Sequence, residues 1–194
     1  MGIGRDPLTS SPPARRRAVF LDRDGVLIHS AVRDGKPYAI TETEPAVVLD
    51  GVHEACAALK QAGLLLVMVT NQPDVARGTT SRHFVETTNA GLVTALGLDD
   101  ARVCYHRDED GCDCRKPKPG LLTAAARDLS IDPAASIMVG DRWRDVEAGR
   151  NAGCRTVLID RRYTETRSGT PDHVADSLSE AVPWIVRAIG VSSS

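Results

Sequence analysis

The chain has 194 residues, 42% hydrophobic and 26% charged, and its 24 Lys and Arg against 26 Asp and Glu leave a net charge of -2. That length suits one α/β domain with a sizeable core and is short for two. The mixed, near-neutral charge excludes the basic footprint of a duplex nucleic-acid or anionic-membrane binder, and the longest apolar run, residues 64–69, is too short to span a bilayer.

Residues 1–17 hold Ser10-Ser11-Pro12-Pro13 and Arg15-Arg16-Arg17 without an apolar stretch of signal-peptide length. They read as a disordered leader, its arginines solvated, on a cytoplasmic protein. Residues 18–21 are a short apolar strand ending at Asp22. The stretch 28–49, with Gly35, Pro37 and Pro45 among charges, fits neither the helical nor the strand period and reads as a long flap. Val52, Ala55, Cys56 and Leu59 recur at helical spacing, with Gly63 as the stop. Residues 64–69 form a second strand that runs into Thr70-Asn71.

A helix is predicted over 79–96, started by Thr79-Thr80-Ser81 and stopped at Gly97. Residues 102–105 form a third strand, 121–129 a helix after Pro119-Gly120, and 136–139 a fourth strand that ends at Gly140-Asp141. Residues 145–152 form a helix closed by Gly153, and 155–159 a fifth strand. A final helix covers 179–189, where Pro183 is tolerated only in the first turn. No repeat is visible.

Apolar strands alternating with helices predict a doubly wound, Rossmann-like parallel sheet with helices on both faces, in one domain over 18–190. Between Asp24 and Thr70 no room remains for a cap domain. Ligands bind such sheets outside the carboxyl ends of the strands. Asp22, Thr70 and Asp141 all stand there, so residues far apart in sequence converge on one edge.

The segment Asp22-Arg23-Asp24-Gly25 sets two carboxylates two residues apart just past a buried strand. Hydrolysis of a phosphate monoester needs a nucleophile, a proton donor for the leaving oxygen and cations to offset charge. Asp22 suits the first role and Asp24 the second, while Gly25 allows a tight turn. By itself the tetrad reads equally well as a polar turn, and its D-x-D-G spacing also suits a calcium loop that lacks its later ligands. Thr70, at a strand end, suits phosphate binding or a cap. Lys116 is either an anion-neutralising group or a surface lysine, and Asp141 and Asp145 are either metal-site acids or helix-start acids.

Taken in order, these four segments resemble the four motifs of the haloacid dehalogenase superfamily and cover nearly all of residues 18–160. The resemblance implies Asp22 as nucleophile, Asp24 as acid and base, and Thr70 and Lys116 as phosphate-binding residues. It implies Mg2+ held by Asp22, the backbone carbonyl of Asp24 and Asp141, with Asp145 in support. An acidic residue at position 24 favours a phosphatase over a dehalogenase. For Asp24 to donate a proton at neutral pH, burial or a neighbouring carboxylate must raise its pKa.

Cys104, His106, Cys112 and Cys114 form a C-x-H-x5-C-x-C cluster suited to structural Zn2+, with all four positions filled by protein. Reduced free cysteines are the alternative; a redox pair would need the C-x-x-C spacing that is absent. Cys56 and Cys154 read as ordinary buried thiols. The zinc loop leads straight into Arg115-Lys116. This arrangement resembles the capless phosphatases that act on heptose bisphosphate or histidinol phosphate, and Arg115 matches a residue there that helps bind phosphate.

The stretch from Thr70-Asn71-Gln72 through Ala76-Arg77-Gly78 is similar to the heptose 1,7-bisphosphate 7-phosphatases, which implies Asn71 and Arg77 in substrate binding. The five-residue zinc-loop spacing is closer to the histidinol-phosphate enzymes. Loop lengths change easily, so the longer match carries the expectation of a heptose bisphosphate. The expected partner is thus a small sugar phosphate, without nucleic acid or membrane, and the expected state is a monomer. A zinc-stabilised binding module with an idle site is the non-enzymatic alternative.

Overall fold

The computed structural model describes residues 15–165 and 169–190. The chain runs β1 (Ala18–Leu21), β2 (Ala31–Arg33), β3 (Lys36–Tyr38), α1 (Val52–Gln61), β4 (Leu65–Asn71), α2 (Asp74–Arg77), α3 (Arg82–Leu96), β5 (Asp100–Cys104), α4 (Gly120–Asp128), β6 (Ile137–Gly140), α5 (Trp143–Ala152), β7 (Arg155–Ile159), β8 (His173–Ala175) and α6 (Leu178–Ala188). Six of the strands form one parallel sheet in the order β5-β4-β1-β6-β7-β8. The expected doubly wound sheet is present, and no cap domain occurs among the described residues.

Both faces of the sheet are covered because its central strands are apolar at every position. In β1 alternate side chains diverge: Val19 and Leu21 join a core with α1, α3 and α6, while Ala18 and Phe20 join one with α4 and α5. Phe20 is fully buried. A side chain of that size removed from water contributes about 1.5–3 kcal/mol.

Four expectations change at the level of local structure. A sixth strand, β8, pairs Leu158 with Val174; three residues are too few to show a period. The flap contains the β2–β3 hairpin, turned by Asp34 and Gly35 at φ 50° and 71°, and its base is closed by a bridge between Ile28 and Val48. An Asp-Gly pair between short strands is a strong turn signal, because both residues tolerate positive φ. The helix expected from residue 79 starts at Arg82, where the Ser81 hydroxyl accepts from the Phe84 N–H at 3.1 Å; residues 74–77 form the separate α2. Pro183 lies in the second turn of α6 rather than the first, in a helix held down by buried Leu178, Ala181 and Ile185.

Of the expected leader, residues 1–14 lie outside the described residues. Arg16 and Arg17 are not free: their guanidinium groups donate to the carbonyls of Leu129 and Ile189. Those carbonyls end α4 and α6, where a cation is favoured.

Candidate active site

Strands β4, β1 and β6 are neighbours, so their carboxyl ends deliver Thr70, Asp22 and Asp141 to one cavity, as expected. Lys116 enters it from the loop before α4. The Asn71 side chain fixes that entry by exchanging two hydrogen bonds of 3.1 Å with the Lys116 backbone. The Lys116 ammonium then donates to Asp22 Oδ1 at 2.6 Å and to the Val69 carbonyl at 2.8 Å, and lies 2.6 Å from Asp145 Oδ1. All three of its protons are engaged.

Electrostatics in the cavity follow from burial. Lys116, Asp22, Asp141 and Asp145 are all buried. Burial alone would lower the Lys116 pKa, but the Asp145 and Asp22 carboxylates outweigh it and hold the ammonium above its usual range. Burial pushes Asp22 up to about 7, resisted by Lys116 and assisted by Asp145 and Asp24. Asp141 is pushed well above the usual carboxylate range, by burial first and then by the Asp22 and Asp145 charges. One ammonium does not balance three buried carboxylates, so the cavity can accept a further cation.

The residues fit magnesium. One carboxylate oxygen from each of Asp22, Asp141 and Asp145 lies within 4.8 Å of the others. Asp141 Oδ1 is buried with no partner, an orphaned hard donor of the kind Mg2+ takes. Both Asp145 oxygens are already engaged, Oδ1 by Lys116 and Oδ2 by the Arg142 N–H at 3.1 Å.

Asp24, in the same cavity as Asp22, is held by three donated hydrogen bonds. Arg23, fully buried, donates to both of its oxygens at 3.0 and 3.2 Å, and Gln72 Nε2 adds a third bond at 2.9 Å. The same amide donates to the Thr70 hydroxyl at 2.8 Å, which leaves the hydroxyl proton for an incoming anion. Gly25, at φ 80°, is required by space as well as by backbone. A Cβ there would stand 1.9 Å from Asp141 Oδ2.

The zinc cluster also fits its ion. Cys104, His106, Cys112 and Cys114 bring their ligand atoms together, with Sγ and Nδ1 separations of 3.1–3.7 Å. Tetrahedral thiolate and imidazole ligation gives edges of about 3.3–3.8 Å. Burial and then the Cys114 sulfur push the Cys104 thiol well above its usual range, so without a cation the cluster retains protons. Cys56 and Cys154 are buried thiols pushed up to about 11 and about 12, chiefly by burial.

Comparison with known proteins identifies the family. The HAD-hydrolase-like family model matches residues 113–181. A D-glycero-beta-D-manno-heptose-1,7-bisphosphate 7-phosphatase of Pasteurella multocida is 36% identical, over 90% of this chain and 98% of that protein. The enzyme of the same name from Escherichia coli K12 is 34% identical, over 89% of each. The crystal structure of a D,D-heptose 1,7-bisphosphate phosphatase from B. bronchiseptica, complexed with magnesium and phosphate, superposes with a TM-score of 0.73 at 30% identity, covering 88% of this chain and 98% of that one. The chain belongs to this family of haloacid dehalogenase-type phosphatases.

Next to the Asp22 cavity, and sharing Tyr38, Asn71, Arg142 and Arg144 with it, lies a second basin lined by Lys36, Arg77 and Arg115. Asp108 of the zinc loop organises it: Arg115 Nε donates at 2.7 Å and Arg144 at 2.9 Å to the same oxygen. Those guanidinium groups, Arg115 first, hold the Asp108 carboxyl far below its usual range. Arg77 is paired with Asp74 at 3.0 Å, and Arg142 with Glu165.

Several residues around the site, among them Lys36, Arg144, Tyr163 and Asn89, were not singled out in the sequence. Lys36 and Arg144 are single surface-type cations, and Tyr163, which donates to Asp141 Oδ2 at 2.8 Å, follows a strand by several residues with no motif. Asn89 did leave a signal. It shares the buried stripe of α3 with Val85, Leu92 and Leu96, and it accepts from Arg23 at 3.1 Å.

Proposed function

We propose that this chain removes the 7-phosphate of a heptose 1,7-bisphosphate through an aspartyl-phosphate intermediate. The observation that carries the substrate is the basin beside the Asp22 cavity, where the five cations Lys36, Arg77, Arg115, Arg142 and Arg144 outnumber the carboxylates of Asp74, Asp108 and Glu165. A monophosphate would occupy only the inner cavity. A second anionic group on the same molecule gives Lys36, Arg77, Arg115 and Arg144 a common ligand. The names of the relatives support the same choice.

In the first step an Asp22 carboxylate oxygen attacks phosphorus in line, and the bond from phosphorus to the sugar oxygen breaks. Asp24 supplies the proton that the departing alkoxide takes up. In the second step Asp24 takes a proton from water, whose oxygen attacks the aspartyl phosphate and releases inorganic phosphate and Asp22. Lys116 and the Thr70 hydroxyl offset charge on the transferring group, and Arg23 and Gln72 hold Asp24 in its orientation. Asp22, Asp141 and the Asp24 backbone carbonyl would hold Mg2+, whose chemistry is to neutralise phosphoryl charge. Zn2+ on Cys104, His106, Cys112 and Cys114 would be structural. It would fix the loop that carries Asp108, Arg115 and Lys116.

We further infer a single catalytic domain over 18–190, with its zinc loop at 104–114, acting as a cytoplasmic monomer on a small molecule. No helix among the described residues is long and apolar enough to cross a membrane. The idle binding module has no support, since every motif residue stands in the cavity. The test is a phosphate-release comparison of both heptose 1,7-bisphosphate anomers, a heptose 7-phosphate, histidinol phosphate and common sugar phosphates. The bisphosphate should lead in kcat/KM, and Asp22→Asn should abolish turnover while keeping fold and zinc. A leading histidinol phosphate would overturn the substrate, and turnover by Asp22→Asn would overturn the nucleophile.

A further inference from the structure

The segment that follows β7 forms a strap over the carboxyl edge of the sheet. Arg161 Nε donates to the Gly25 carbonyl at 2.8 Å, in the turn behind Asp22 and Asp24. Tyr163 OH donates to Asp141 Oδ2 at 2.8 Å and lies 2.9 Å from the Ser30 hydroxyl at the base of the flap. The Thr164 N–H donates to the Gly35 carbonyl at 2.9 Å, at the tip of the flap hairpin. Glu165 pairs with Arg142 beside Asp141. Five contacts from Arg161, Tyr163, Thr164 and Glu165 thus join the nucleophile turn, the flap and the motif that carries Asp141.

The chemistry at Tyr163 is directional. A phenol has one proton, and Asp141, ionised when it serves as a cation ligand, can only accept, so the proton goes to Asp141 and the Ser30 hydroxyl donates to the phenol oxygen. Asp141 Oδ2 is thereby occupied, while Oδ1 is buried and unpartnered, in a group whose oxygens approach those of Asp22 and Asp145 within 4.8 Å. Gly25 leaves the room for this arrangement. A Cβ there would stand 1.9 Å from Asp141 Oδ2 and 3.0 Å from Tyr163 OH.

We propose that Tyr163 is a positioning residue for the divalent cation: its hydroxyl holds Asp141 by one oxygen so that the other is presented to Mg2+, and Ser30 links that bond to the flap. The proposal rests on the reading of Asp22 and Asp141 as magnesium ligands. Groups that hold a ligand from behind typically change metal affinity by about 10–100-fold when removed. A tyrosine serving only to pack would leave that affinity unchanged.

The experiment is calorimetric titration of Mg2+ into the zinc-loaded full chain, without substrate, for the wild type, Tyr163→Phe, Ser30→Ala and Asp141→Asn. Tyr163→Phe should weaken Mg2+ binding roughly tenfold or more, and the Mg2+ concentration for half-maximal turnover should rise by the same factor. Ser30→Ala should shift both in the same direction by less. Wild-type Mg2+ affinity in Tyr163→Phe, with Asp141→Asn defective, overturns the role of Tyr163. Wild-type affinity in Asp141→Asn instead overturns the metal site itself. Should Tyr163→Phe fail to fold, Ser30→Ala decides: unchanged Mg2+ affinity in that variant overturns the proposal.

Discussion

Lys116 Nζ stands 2.6 Å from Asp22 Oδ1, a contact between residues 94 positions apart that is buried from solvent on both sides. It brings the proposed nucleophile and the proposed anion-binding cation together before any substrate arrives. Asp145 Oδ1 lies equally close, 2.6 Å from the same ammonium. Removing one member of such a buried set leaves the others uncompensated.

Lys116→Met is therefore expected to lower kcat by about 10²–10³-fold, through loss of charge stabilisation in the transition state. It should also destabilise the fold by about 3–5 kcal/mol, because Asp22 and Asp145 lose a common partner. Steady-state kinetics and urea unfolding check both. A variant within a few-fold of wild-type turnover would remove Lys116 from the mechanism.

The pH dependence of stability follows from Asp22. Its pKa in the metal-free fold is about 7, against about 4 for an unfolded aspartate. The folded value is the higher, so the contribution is complete below about pH 4 and is lost as pH rises through about 7. Asp141, also raised, acts in the same sense. Thermal unfolding without Mg2+, zinc retained, should show Tm falling between about pH 5 and pH 8. Asp22→Asn should reduce the slope, and Mg2+ should reduce it further because it binds the ionised carboxylates. A wild-type Tm that rises across this window contradicts the assignment.

The basin makes a prediction about substrates. Arg144→Ala should raise KM for a heptose 1,7-bisphosphate roughly tenfold, the worth of one hydrogen bond to a charged group. KM for a heptose 7-phosphate should change by less than twofold or so, since no second anion reaches the basin. Equal effects on both substrates would mean that Arg144 does not contact a second phosphate.

Zinc removal should act through Asp108 and Arg115. Cys114→Ser is expected to lose zinc, lower Tm and reduce kcat/KM by roughly tenfold or more, as loss of supporting contacts around a site does. Zinc content by atomic absorption, with kinetics on the same sample, checks it. Because Cys104 is held protonated in the metal-free cluster, zinc loading at neutral pH should release protons, measurable by calorimetry in buffers of different ionisation enthalpy. Full kcat/KM in a zinc-free sample would make the loop irrelevant to catalysis.

Much of this was legible beforehand for a physical reason. Period-free apolar strands such as residues 18–21 carry their burial in their composition, and in a parallel sheet the residue after each strand must face the ligand edge. Asp22, Thr70 and Asp141 were readable on that logic. The Cys104, His106, Cys112 and Cys114 cluster was readable because ligand-type residues gathered in one short segment leave their spacing in the sequence. Pro183 misled, since packing of the apolar face of α6 outweighs a local helix penalty.

The sequence by itself thus determined the fold class, the order of the motifs and the chemical types of the ligands, all of which are local or periodic properties. Only the tertiary structure decided that Asn71 spends its side chain on the Lys116 backbone, that Arg23 turns inward to Asp24 and Asn89, and that Asp108 gathers Arg115 and Arg144. It also decided that Tyr163 stands behind Asp141. Each of these pairs joins elements whose distance is set by the packing of the sheet and its loops. A polar residue in a loop carries no trace of the partner that packing will bring to it.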